Sequence, residues 1–183
     1  MTKRELIQKM KLEGKVDPNI KIIMPKLLID FVMQTKGNII QVGNKWIKLL
    51  RNDETVVWNA YFLTVGHELA HIQPETKTKF NTKNKNEKRF VNWCREIYCD
   101  FAGCAKMGNS KRERLVEAWE FKRTHIKQQN PRVSHPSPSM RLLCAKKYDF
   151  DRALICKIAQ ISGCKSQELI DEMAKNYPTI VLK

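Results

Sequence analysis

The chain has 183 residues, with 34 Lys and Arg against 19 Asp and Glu for a formal net charge of +15, and it is 42% hydrophobic and 29% charged. That length suits one domain, 1–183, with a sizeable core, and the composition excludes a disordered or fibrous chain. No stretch approaches the roughly 18 uncharged apolar residues of a membrane span, and MTKRELIQKMKLEGK lacks the apolar run of a signal peptide, so a cytoplasmic location is expected.

A capping box, Thr2 with Glu5, is expected to open a short amphipathic helix that Gly14 closes. Pro25 suits the first position of a helix through LLIDFVM, ended by Gly37. NIIQV, a Gly43-Asn44 turn and KWIKLL then read as a β-hairpin, whose exposed edge would offer main-chain hydrogen bonds to an extended peptide. From about Thr55 to Gln73 there is no proline or turn cluster. Val56, Ala60, Leu63, His67 and His71 fall along one side at spacings of three or four, which predicts a buried helix stopped by Pro74.

KTKFNTKNKNEKR, residues 77 to 89, has no helical or strand period and reads as a solvated basic loop or a docking surface for an acidic partner. Phe90, Trp93, Cys94, Ile97, Phe101, Cys104 and Ala105 recur at helical spacing and predict a second core helix ending at Gly108-Asn109. Ser110 with Glu113 forms another capping box, ahead of a charged helix through LVEAWEFKRTHIKQQ. RVSHPSPSMR reads as a rigid loop, and two further helical patterns, RLLCAKK to DRALICKIAQ and then SQELIDEMAKN, complete the chain. The expected fold class is mainly α (α+β), a helical domain with a small β-hairpin or sheet beside the histidine-bearing helix. The six cysteines form no CxxC pair, and Cys94, Cys99 and Cys104 are five apart, which scatters them around a helix. Buried reduced thiols are expected, not a thiolate metal site.

VGHELAHIQP, residues 65 to 74, carries the sharpest chemical signal. His67 and His71, four apart on a helix, lie one turn above each other, so both imidazoles can reach one ion. Glu68 projects close enough to take a proton from a water activated by that ion. A catalytic zinc usually has three protein ligands, and the second helix offers Glu96, with Asp100 one turn further along the same side. Two such acids repel, and a cation between them would remove that cost. The alternative is a solvated acidic edge paired with Arg95 or Lys106.

HELAH followed by EIYCDFAGCAKM resembles the HExxH and ExxxD pair of gluzincin zinc metallopeptidases, and SHPSPSMR resembles the HPxxxxR segment of HtpX-type and CaaX-prenyl-protease-type members. The first pair is also similar to that of IrrE/ImmA-type soluble peptidases, and the phage-exclusion peptidase Lit is a further likeness. The resemblance spans residues 67 to 141 in the expected order. It departs from the first two types in lacking membrane helices, and from the IrrE type in having Met107-Gly108 where that type has Met-Pro. The resemblance implies a zincin-like domain in which His67, His71 and Glu96 ligate Zn2+ and Glu68 is the general base. It makes Asp100 the acceptor that orients a ligand histidine, places His135 in the substrate cleft as a donor to the carbonyl oxygen, and has Arg141 hold that loop against the acidic helix. For His135 the alternative is a loop histidine packed on Pro136, and for Arg141 a purely structural ion pair.

The leading functional expectation is a soluble zinc-dependent endopeptidase acting on an intracellular protein or peptide, with an acidic substrate one option. The alternative is a nucleic-acid or acidic-partner binding module with a vestigial zinc site, which the +15 charge motivates although no nucleic-acid motif accompanies it. An amidase acting on a non-peptide bond would use the same site. Glu68 favours an enzyme, because a structural site has no use for it and usually takes four protein ligands.

Overall fold

A computed structural model describes residues 2–13, 16–25, 33–106, 111–126 and 129–183. In chain order the elements are α1 Lys3–Glu13, β1 Lys21–Ile23, β2 Met33–Lys36, β3 Ile39–Val42, α2 Asn44–Leu50, α3 Thr55–Ala70, α4 Pro74–Lys77, α5 Lys85–Lys106, α6 Arg112–His125, α7 Pro138–Lys147, α8 Arg152–Ser162 and α9 Gln167–Asn176. The fold is mainly helical with one small sheet, as the sequence pattern predicts.

The sheet has the order β1-β3-β2, with β1 parallel and β2 antiparallel to β3. The hairpin therefore lies one strand upstream of its predicted place. Gly37, at φ 57, and Asn38 make its two-residue turn, because a left-handed position accepts glycine without strain. KWIKLL is helical instead: Trp46, Ile47 and Leu50 form one buried stripe at helical spacing, and Gly43 is the N-cap. The helix expected from Pro25 falls largely outside the described residues at 26–32, and its end, Met33–Lys36, is strand. The closures at Gly14 and at Gly108-Asn109 and the Ser110 cap also lie outside them. Among the described residues β2 is an outer strand, and it packs beside α3.

Helix α3 is buried on nearly every side, which a run of Val57, Trp58, Ala60, Tyr61, Leu63 and Val65 requires. Val56 is the exception at 43% exposed, so the predicted stripe starts at Val57. Helix α5 begins at Lys85, inside the stretch expected to be loop. Asn84 Oδ1 accepts from the backbone N of Asn86 and of Glu87, each at 3.0 Å, while the Glu87 carboxylate accepts from Lys83 N at 2.6 Å. That reciprocal cap satisfies the first turn's free donors, so the basic loop proper is residues 78–84. The Thr2–Glu5 capping box forms as expected. The RLLCAKK-to-DRALICKIAQ pattern divides into α7 and α8, because Asp151 caps a new helix with its side chain.

Helices α3 and α5 touch backbone to backbone. A Cβ at Gly66 would lie 2.8 Å from Gly103 O, and one at Gly103 would lie 2.5 Å from His67 N. Both are closer than non-bonded atoms allow, so any side chain at either position would force the helices apart. This contact sets His67 of α3 against the acidic side of α5.

Candidate metal centre

His67 lies in the last turn of α3, and His71 follows it as the C-cap, still at helical dihedrals of φ −62 and ψ −18. The two Nε2 atoms are 3.0 Å apart. Glu96 of α5 places Oε2 3.4 Å from His67 Nε2 and Oε1 3.4 Å from His71 Nε2. The donor atoms of His67, His71 and Glu96 all lie within 4.8 Å of one another, and this group could hold a metal ion. Bonds of about 2.0 to 2.2 Å arranged tetrahedrally put donors about 3.3 to 3.6 Å apart, which the two histidine–Glu96 separations match, while the two imidazoles at 3.0 Å are closer than that.

Behind His67, Asp100 and Arg141 fix the ring. His67 Nδ1 donates to Asp100 Oδ1 at 2.9 Å, the tautomer that leaves Nε2 free as a ligand. Arg141 donates from Nε to Asp100 Oδ2 at 2.7 Å, from Nη2 to Asp100 Oδ1 at 2.5 Å and from Nη1 to Glu96 Oε2 at 3.2 Å. Its Nη2 also comes within 3.1 Å of His67 Nδ1, where both groups are donors and both are satisfied by Asp100. The alternative partners Arg95 and Lys106 make no pair with either acid: Arg95 donates to Thr78 O instead.

Burial opposes charge throughout this cluster, and the pairings decide which charges survive. Burial lowers the proton affinity of His67, but its hydrogen bonds to Asp100 and Glu96 outweigh that and raise it overall. Burial would likewise raise Glu96, yet the hydrogen bond and charge of His67, with Arg141 and His71, hold it well below the usual carboxylate range. Asp100 is held down to about 2, against its burial, by the charge of Arg141 and the His67 hydrogen bond. His71 is pushed down to about 4 by burial and by the charge of His67, so its imidazole is neutral near pH 7.

Glu68 lies beside this network and outside it. It is buried at 8% exposure, and its one hydrogen-bond partner is the Thr35 hydroxyl of β2, which donates to Oε2 at 3.0 Å. Burial raises its pKa, and the charge of His67 and the Thr35 bond only partly offset that. His135 sits in the proline-bearing loop ahead of α7. That loop is pinned to α5 by Trp93 Nε1 donating to Arg132 O at 2.7 Å and Asn92 Nδ2 donating to Val133 O at 3.2 Å. Its imidazole has a side-chain exposure of 58% and bonds Ser134 Oγ at 2.9 Å, with Nε2 3.6 Å from Glu96 Oε1. It is not one of the three convergent donors.

Five contributors escape the sequence reading. Thr35 lies at the end of a stretch that the sequence reads as helix and the structure makes a strand. Gly66 and Gly103 are glycines within helical patterns, a signal of close backbone approach that was there to be read. Cys99 puts Sγ 3.4 Å from His71 Nδ1, so the adjacent Cys99 and Asp100 each face one of the two histidines; burial pushes this thiol well up, and it stays protonated. Lys122 of α6 places its ammonium 4.2 Å from the Trp119 ring centroid, and its charge acts on Glu68. Five of the six cysteines are buried and all six are free, consistent with the expected thiols.

No protein-family model, no curated protein and no solved structure matches this chain. Among the described residues no helix is long and apolar enough to cross a membrane.

Proposed function

We propose that this protein is a zinc-dependent endopeptidase of the gluzincin type, acting in the cytoplasm on a protein or peptide. The observation that carries the reading is the arrangement around one point. Three donors at the end of α3 and on α5 converge, one of them, His67, is fixed by Asp100, and a further polar group, Glu68, is buried without being a donor to the cluster. A structural site has no need of that buried carboxylate, whose desolvation is costly.

The residues divide the work. His67, His71 and Glu96 would hold zinc, which when bound supplies Lewis-acid polarisation of a carbonyl and acidifies a water. Glu68, with its proton affinity raised by burial, takes the proton of the attacking water and returns it to the leaving amine. Thr35 keeps the Glu68 carboxylate aimed, and His135 Nε2 donates to the carbonyl oxygen as charge develops. An extended peptide laid along the outer strand β2 would pass beside Glu68, with main-chain hydrogen bonds supplying affinity. The basic stretch at 78–84 then selects acidic partners. Comparison of protein cleavage across cells expressing wild-type or Glu68→Gln protein tests the reading. Substrates cut only in the wild type are expected, and identical cleavage patterns would contradict it.

A further inference from the structure

On α6, Leu115, Ala118 and Trp119 form the buried face that packs toward α3, and Lys122 continues that face one turn on. Arg141 Cζ and Lys122 Nζ each lie 4.2 Å from the Trp119 ring centroid, so one indole carries two cations. They differ in what else they hold. Arg141 is committed to both oxygens of Asp100 and to Glu96. Lys122 has no carboxylate within ion-pairing distance among the described residues, and its ammonium rests on the ring.

A desolvated ammonium resting on an aromatic face is under-satisfied. The cation–π contact returns less than the desolvation of an ammonium costs. Burial and the charge of Arg141 push Lys122 down to about 8, while Asp100, Glu68 and Glu96 pull the other way, so the group is mostly charged near pH 7. The charge balance of the centre points to what is missing. Three carboxylates face two cations, and a bound divalent ion turns that single negative charge into a single positive one. An anionic group from a ligand would close the balance, and Lys122, half-buried as a residue, is the cation still able to receive it.

We propose that Lys122 is a specificity-determining residue that receives a carboxylate of the substrate, with Trp119 as its platform. The inference rests on the peptidase reading above. The carboxylate is either the free C-terminus of a short peptide or an Asp or Glu side chain beside the scissile bond. Both present two oxygens to the three ammonium donors.

Peptide hydroxamates of one to three residues serve as the probe, since the hydroxamate chelates zinc whatever the peptide. Each length is made as a neutral C-terminal amide, as the free C-terminal acid, and as an amide bearing one glutamate. Binding to zinc-loaded wild type, Lys122→Gln and Lys122→Arg is measured at pH 7 with thermal melts on the same samples. In the wild type one anionic member is expected to bind on the order of 10-fold more tightly than its neutral parent, the scale of one charge-assisted hydrogen bond. That advantage should disappear in Lys122→Gln and persist in Lys122→Arg, with the neutral parent bound equally by all three. Gain by the free acid or by the glutamyl member identifies the source of the carboxylate. No anionic preference in the wild type, or a preference that survives Lys122→Gln, overturns the proposal. So does loss of the neutral parent in both variants, which would make Lys122 structural. If the neutral hydroxamates do not bind the zinc-loaded wild type at all, the peptidase reading fails and this inference with it.

Discussion

The Asp100 side and the Glu68 side of the His67–His71–Glu96 cluster are equally shielded by protein but partnered in opposite ways. Asp100 is 5% exposed and has both oxygens bonded, to His67 and Arg141. Glu68 is 8% exposed and has one neutral partner, Thr35. The pKa directions follow: Asp100 is held down and Glu68 is raised. One buried carboxylate stabilises the fold through its pairing, and the other weakens it by remaining available. A difference of that kind around one cluster is what a functional site would show.

The largest expected effect comes from breaking the paired side. Asp100→Ala leaves the buried Arg141 with half its pairing and His67 without its acceptor, and should cost about 3 to 5 kcal/mol in a denaturant melt. Glu68→Gln should be neutral or slightly stabilising in the same melt, because it removes a desolvated charge that His67, Thr35 and Lys122 only partly offset. Equal losses for the two would erase the contrast. The pH dependence has a definite sign. Asp100 has a folded pKa lowered to about 2, so its contribution is present above the ordinary carboxylate value and is lost as pH falls through about 2. Acid titration of the wild type should show that loss, and Asp100→Asn should lack it.

His135 tests the open side. Its ring is exposed and its loop is pinned through backbone carbonyls, so His135→Ala should leave the melt within about 0.5 kcal/mol of wild type. As an oxyanion donor it should cost on the order of 10² to 10³ in turnover, with zinc content unchanged. Near wild-type turnover in zinc-loaded protein would return His135 to the role of a loop residue.

How much of this was legible differs between the two sides. His67, His71, Glu96 and Asp100 could be named because helical spacing converts i, i+3 and i, i+4 positions into shared faces, whereas Arg141 could be named only through the resemblance of SHPSPSMR to the HPxxxxR segment. Thr35 could not. A strand's partner depends on which turn closes, and Gly37-Asn38 competed with Gly43-Asn44, each with an apolar residue on one side and a lysine on the other. The burial of Trp46, Ile47 and Leu50 on one helical face settles that competition in the structure. The start of α5 was hidden for a different reason: Asn84 and Glu87 form a cap from polar letters that also compose loops. Lys122 lay in a charged helix where nothing in the spacing separates a solvated lysine from one resting on Trp119.

The smallest effect belongs to the lysines of residues 77–85. Lys77, Lys79, Lys83 and Lys85 are exposed, and neutralising all four should weaken an acidic partner in a salt-dependent way while cleavage of a small neutral peptide stays the same. Equal loss on both substrates would place the lysines in the chemistry.

The central claim is that His67, His71 and Glu96 hold a metal and Glu68 does not. Elemental analysis of protein purified without added metal tests it directly, in the wild type, Glu96→Ala and Glu68→Gln side by side. The account predicts about one zinc per chain in the wild type and in Glu68→Gln, and a large loss in Glu96→Ala. A wild type without stoichiometric metal, or a Glu96→Ala protein that keeps its full complement, would contradict it.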